Sequence, residues 1–305
     1  MFTFFNSARV GTAIQGVAHA EASFQGALPY AKERRSMRAL SGKKDPGYPA
    51  DALIWHPDVR RMLLTQKAVA EGGRAMIYSA AQLADKLFNA ATDGDRVGYE
   101  EFDNKLGFYT PILKGFLTEM GLEAANLGMQ VFGGHGYIHA NGMEQIARDA
   151  RISTLYEGTT GIQALDLLGR KVLLGTRGKC VRDFTATMLR FSRRHLFAGG
   201  VVGKMARSLA RRALQWNLIT IRIMLRARSD RELVGSAGVD YLMYSGYVMM
   251  AYFWAVQAAK SAELSASGSG RESADFYRTK IHTAEFYFER LLPRADGHRK
   301  SALAP

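Results

Sequence analysis

Apolar and polar positions along this chain repeat with the period of an α-helix from end to end, and no strand-like alternation stands out. Residues 4–40 are rich in Ala, Gln, Glu and Arg and read as one long helix, broken by the stretch 41–51, SGKKDPGYPAD. His56-Pro57 opens a second helix running to about Ala91, with Pro57 at its first position. Residues 92–98 read as a loop. Thr110-Pro111 signals a third start, with Thr110 as N-cap, and Gly133-Gly134 a stop. A short helix is predicted over 142–152. Another runs from Thr160 to about Leu174, with Ile162, Leu165 and Leu168 on one stripe and Gly175 past its end. Further helices are expected near 177–197, 201–228, 231–263 and 273–292, with a flexible link over 264–271. The fold class is all-α, an antiparallel helical bundle over 1–172 with a second helical extension over 173–305.

One stretch tests that reading. Residues 241–259 carry no charge over 19 positions, close to the length needed to span a bilayer. Ser245, Gln257 and four tyrosines within it instead fit a helix buried in protein, where phenols find partners. No membrane span is expected.

Composition excludes more than it selects. Of 305 residues, 47% are hydrophobic and 23% charged, as in ordinary globular chains. The single Cys180 rules out an internal disulfide and a cysteine-built zinc site. The opening residues lack the pattern of a secretory leader and only one cysteine is present, so a reducing cytoplasm is the expected location. Net charge is +13, and its distribution is uneven. Residues 1–164 hold 17 basic and 17 acidic side chains, whereas residues 170–231 hold 16 basic and 2 acidic. That asymmetry suggests an anionic partner or a covered surface.

The chemistry concentrates between 130 and 163. No HExxH, P-loop, GxSxG or dinucleotide-binding glycine motif is present. His135 and His139 are four residues apart, but in a glycine-rich loop rather than on a helix face, so no metal site is expected. The cluster itself has two readings. In the structural one, Gly133-Gly134 ends a helix, Arg148-Asp149 is a solvated pair, and Glu157 precedes a helix capped by Thr159 or Thr160. In the functional one, Gly133 and Gly134 let backbone N–H groups approach a phosphate. Glu157, between Tyr156 and Gly158, is then a desolvated carboxylate able to remove a carbon-bound proton.

QVFGGHGY at 130–137, RDARI at 148–152 and LYEGTTGIQALDLLGRKV at 155–172 resemble the C-terminal helical domain of the acyl-CoA dehydrogenases. Residues 8–42 and 56–78 resemble the first two helices of that domain. Residues 275–294 resemble the C-terminal extension of the longer bacterial members, the long-chain acyl-CoA and 3-methylmercaptopropionyl-CoA dehydrogenases.

The resemblance implies roles by position. Glu157 matches the base that removes the α-proton of an acyl-CoA thioester while the β-hydrogen leaves as hydride to FAD. Gln130, Gly133 and Gly134 match the loop on the adenosine-diphosphate part of FAD, usually across a subunit interface. Arg34 matches the arginine that pairs with the pyrophosphate, a target suited to a guanidinium fork. Thr159 and Gln163 match flavin contacts. Arg9, Tyr156 and Gly158 match positions beside the bound substrate. The implied partners are an electron-transferring flavoprotein or equivalent acceptor and a further copy of the chain.

Departures qualify this. Family members carry an N-terminal helical domain and a middle β-domain before this point, and neither is in this sequence. The expectation is a truncated member, a fission product or a separately encoded half, inactive unless those domains are supplied in trans. IHANG at 138–142 departs from relatives that carry an acidic residue there. Two alternatives remain. One is a non-catalytic helical subunit. The other is a nucleic-acid-binding relative using an arginine stripe from Arg190 to Arg228, including Arg212 and Arg226. The segment lacks interleaved aromatics for base stacking, so nucleic acid is the weaker expectation.

Overall fold

A computed structural model describes the backbone of residues 2–304 and the side chains of 8–304. The side chains of residues 1–7, part of the stretch without a secretory-leader pattern, lie outside the described residues. Ten α-helices occur among the described residues, with no named strand.

Three long helices build the first layer: α1 (Phe2–Glu33), α2 (Pro57–Thr92) and α3 (Arg96–Phe132). Helices α1 and α3 run parallel and α2 antiparallel to both. Small residues let α1 and α3 cross closely. A Cβ on Gly16 would lie 2.4 Å from the Leu117 carbonyl oxygen, and one on Gly121 would lie 2.3 Å from that of Gly16. Ala13, Val17 and Ala20 on α1 meet Leu113, Phe116, Leu117 and Met120 on α3 in one buried cluster. Helix α4 (Met143–Ser153) then carries the chain back along α1. Met143 packs near Gly26, and the Tyr156 hydroxyl, just past α4, donates to Gln15 Oε1.

The rest of the chain is α5 (Thr160–Leu165), α6 (Lys179–His195), α7 (Gly200–Arg226), α8 (Leu233–Ser267), α9 (Ala274–Phe286) and α10 (Arg294–Ala302). The uncharged run lies in α8, which is the central helix of this half. Trp254 Nε1 donates to the Ala68 carbonyl of α2 at 3.1 Å, and Tyr247 stands edge-on to Phe116 of α3 at 4.9 Å. Tyr244 donates to the Arg212 carbonyl, and Tyr241 shares hydrogen bonds with Thr220 and Trp216. Burying one such aromatic side chain stabilises the fold by roughly 2–3 kcal/mol. Among the described residues no helix is long and apolar enough to cross a membrane. Ion pairs finish the join: Arg294 grips both carboxylate oxygens of Glu123, and Lys280 pairs with Glu71. One buried cluster draws on both halves, from Ala13 on α1 to Ala302 on α10, and a second gathers Ala27, Ala31, Met62, Leu63 and Val131.

Several predicted boundaries move, each for a physical reason. Helix α1 stops at Glu33 rather than near 40, because the chain turns there around the buried Asp51. Helix α3 starts at Arg96, where the Asp95 carboxylate accepts from the Gly98 N–H. Thr110 is not a cap. Its hydroxyl donates to the Leu106 carbonyl inside the helix, and Pro111 sits in the helix interior. One missing N–H is outweighed by the burial of Ile112, Leu113, Phe116 and Leu117. The helix predicted from Thr160 to Leu174 keeps α-geometry only to Leu165, and Asp166–Gly175 is wound more widely, with i→i+5 bonds. Helix α8 extends to Ser267, shortening the expected link, and α10 was not foreseen.

Candidate active site

The segment after α4 turns sharply. Glu157 adopts a left-handed backbone (φ 55°) and Gly158 follows at φ 92°. A glutamate in that region is strained by about 1–3 kcal/mol and persists only where its surroundings hold it. Two buried groups and one half-buried group do so. Lys114 on α3 is fully buried, and its Nζ donates to the Gly158 carbonyl at 2.7 Å. Gln163 on α5 donates from Nε2 to the carbonyls of Glu157 and Gly158, at 3.0 and 3.3 Å. Glu119, also on α3, accepts from the Thr160 hydroxyl at 2.5 Å. Thr159 caps α5 by accepting from the Ile162 N–H. A Cβ on Gly158 would meet Gln163 Nε2 at 2.7 Å, so this position needs glycine on two counts.

The Glu157 carboxylate itself is exposed, so the sequence-based picture of a desolvated carboxylate does not hold for the chain alone. The surface around it is apolar, with Leu155, Ile162 and Leu165 each 44–51% exposed. Burial instead marks Lys114. Loss of water lowers its pKa to about 8; Glu119 and Glu157 oppose the shift, and Arg9 adds to it. Arg9 points inward and pairs with Asp166 at 2.5 Å, with its Nε unpartnered, and Asp166 also holds Arg170. Gln163 Oε1 is likewise buried without a partner.

The other predicted residues gather at the far end of α1. Tyr30 stacks on Phe132 with ring centroids 4.0 Å apart, bringing the turn that carries Arg34 beside Gly133. Gly133 ends α3 at φ 61°, and a Cβ on either Gly133 or Gly134 would meet nothing within 4 Å. Gln130, Gly133, Gly134 and Arg34 are exposed, and the Arg34 side chain has no hydrogen bond or ion pair among the described residues. The backbone of Arg34 is pinned by the Leu53 N–H. Its loop is organised by Asp51, whose buried carboxylate accepts from the N–H groups of Ala39, Lys44 and Asp45 and from Arg38. Those bonds, the Ala39 N–H foremost, hold the carboxyl well below the usual range against the opposing effect of burial.

The predicted residues therefore form two groups. From Gln15, which touches Tyr156, to Tyr30 beside Phe132, α1 covers about 22 Å at its usual rise per residue. Sequence reasoning missed Lys114, Glu119 and Asp51. A charge inside the apolar run ILKGFL was the available signal for Lys114.

One arginine of the predicted stripe is not on the surface. Arg212 is buried and clamps both oxygens of Asp296, so it is withdrawn from any surface contact. Arg226 donates to the Leu303 carbonyl and Arg207 to that of Leu196. His139 pairs with Glu144, and among the described residues no cluster of three or more His, Cys, Asp or Glu side chains is placed to hold a metal.

Comparison with known proteins agrees with this architecture. The profile described as "Acyl-CoA dehydrogenase, C-terminal domain" matches residues 1–173, and one described as "Acetyl-CoA dehydrogenase C-terminal like" matches 180–305. A 3-methylmercaptopropionyl-CoA dehydrogenase of Ruegeria pomeroyi is 37% identical, over 96% of this chain and 48% of the relative. A broad-specificity linear acyl-CoA dehydrogenase of Mycobacterium tuberculosis is 30% identical over the same shares. An FAD-complexed acyl-CoA dehydrogenase from Bacillus anthracis shares the fold, with a TM-score of 0.72 at 13% identity, covering 99% of this chain and 49% of that one. The chain belongs to the acyl-CoA dehydrogenase family. It spans about half the length of the curated relatives it matches.

Proposed function

We propose that this chain supplies the base and part of the FAD site of an acyl-CoA dehydrogenase that desaturates a thioester between its α and β carbons. The observation that carries the reading is the exposed Glu157 carboxylate on a strained turn fastened from below by Lys114 and Gln163. Glu157 removes the α-proton. Tyr156 and Gly158 flank the substrate. The apolar surface of Leu155, Ile162 and Leu165 excludes water once covered, which strengthens the carboxylate as a base. FAD, when bound, supplies the hydride acceptor.

The residues present fit that cofactor. Gly133 and Gly134 leave open space where a side chain would otherwise stand, and Arg34, at the same end of α1, offers an exposed guanidinium with no partner among the described residues. At the other end, Gln163 Oε1 is a buried acceptor without a partner, and Thr159 lies at the start of α5. Because the two groups sit about 22 Å apart along α1, the reading assigns them to different copies of the chain, each copy serving two sites. Arg9 stands near the thioester as the partner of Asp166. An electron-transferring flavoprotein or equivalent reoxidises the enzyme. The units 1–172 and 173–305 are proposed as bundle and extension.

The test combines the chain with an N-terminal half of the kind its relatives carry and measures bound flavin and acyl-CoA-dependent dye reduction. Flavin binding with dye reduction that disappears in Glu157→Gln supports the proposal. Equal dye reduction by Glu157→Gln refutes the base assignment. A non-catalytic subunit gives neither flavin nor reduction.

A further inference from the structure

Glu157 is exposed, yet its backbone is held in a conformation a glutamate avoids. The energy for that comes from below, and the contributors differ in kind. Gln163 is neutral and Glu119 reaches only Thr160. Lys114 alone among the three is a cation, and it donates to the carbonyl next to the strained residue. A hydrogen bond from an ammonium is roughly twice as strong as one from a neutral donor. Deeper in α3, Lys114 lies among Ile112, Leu113, Phe116 and Leu117, all fully buried, so the Gly158 carbonyl and the nearby anions Glu119 and Glu157 are what offset the loss of water around its charge.

We propose that Lys114 is the positioning residue of the Glu157 turn: its buried ammonium, donating to the Gly158 carbonyl, sets the left-handed backbone that presents the carboxylate. The proposal rests on reading Glu157 as the base. It adds that the turn is fastened by a titratable group. The charged groups facing Lys114 are Glu119 on its own helix, Arg9 on α1 and Glu157 on the turn. Asp166, on the wide turn after α5, is engaged by Arg9 and Arg170. With a pKa of about 8, Lys114 loses its proton within the range in which the protein can be handled.

The two consequences of deprotonation have opposite signs. Between about 8 and the ordinary 10.5 the unfolded chain still holds the proton that the folded chain has released. Rising pH therefore favours the folded state as a whole through this group. The bond to Gly158 meanwhile passes from a charged to a neutral donor, so the turn itself loosens. Global stability and local order separate, which a purely structural lysine would not produce.

Amide hydrogen exchange of the peptide spanning 155–162, corrected for the intrinsic pH dependence, tests this on the full chain. In the unaltered protein, corrected exchange should rise roughly tenfold as pH passes through about 8. Lys114→Met should exchange fast at every pH. Lys114→Arg keeps its charge and should stay protected throughout. Glu119→Gln removes an anion that holds the ammonium charged, and should move the transition to lower pH even if Lys114→Met fails to fold. A pH-independent turn in the unaltered chain, or an unshifted transition in Glu119→Gln, overturns the proposal. None of these readouts uses activity, so failure of the base assignment, read from dye reduction by Glu157→Gln, is a separate result.

Discussion

The two ends of α1 solve the same problem with opposite charges. Each presents an exposed side chain, Glu157 at one end and Arg34 at the other, on a turn organised by a fully buried ion. At the Glu157 end that ion is a cation making one bond to a carbonyl. At the Arg34 end it is an anion, Asp51, accepting from three N–H groups and one guanidinium. The bond number decides the outcome. Four donors over-compensate Asp51 for lost water and push its pKa down; one acceptor does not compensate Lys114, and its pKa falls towards neutrality. The Arg34 end is thus built to be indifferent to pH, and the Glu157 end is not.

The comparison can be broken at several points. Glu157→Gln should lower acyl-CoA-dependent dye reduction roughly a thousandfold while leaving bound flavin unchanged, because only the proton acceptor is lost. Gly121→Ala should cost about 3 kcal/mol in denaturant unfolding, since its Cβ would meet the Gly16 backbone at 2.3 Å and push α1 from α3. That variant disturbs both ends at once, whereas the others disturb one. Arg34→Ala should weaken FAD binding about tenfold, measured by flavin titration. Its unfolding midpoint should stay within about 0.5 kcal/mol, as the side chain has no hydrogen bond or ion pair among the described residues. The smallest effect concerns pH. A carboxyl with a depressed pKa contributes stability above its unfolded value and loses it only as pH falls through the folded one. Amide protection over 39–45 should therefore stay flat from alkaline pH to mild acid, and fall only below the ordinary carboxylate range. Loss of that protection alongside the 155–162 peptide near pH 8 would erase the distinction between the ends.

Part of this was legible in the residues. Glu157-Gly158 and Gly133-Gly134 stood out as a local cluster with two readings, and the resemblance of QVFGGHGY and LYEGTTGIQ to a known family is what gave them roles. The tyrosines of 241–259 identified a core helix, and each of Tyr241, Tyr244 and Tyr247 has a buried hydrogen-bond partner. Thr110-Pro111 misled, because a start signal is also compatible with a helix interior when enough apolar surface is buried beyond it. Arg212 misled similarly: its partner Asp296 is 84 positions away, and nothing local marks one arginine of the run as buried.

The sequence by itself determined the helical class, the family and the segments that bear the exposed groups, since those depend on periodicity and on contiguous motifs. Tertiary structure alone decided what holds those groups in place. Lys114 reaches Gly158 across 44 positions, and Tyr30 stacks on Phe132 across 102. A charged side chain inside an apolar stretch looks alike in sequence whether it snorkels to water or is buried against a distant carbonyl. Only the packing of α3 under α5 distinguishes the two, because burial and the partner are both supplied by residues far along the chain.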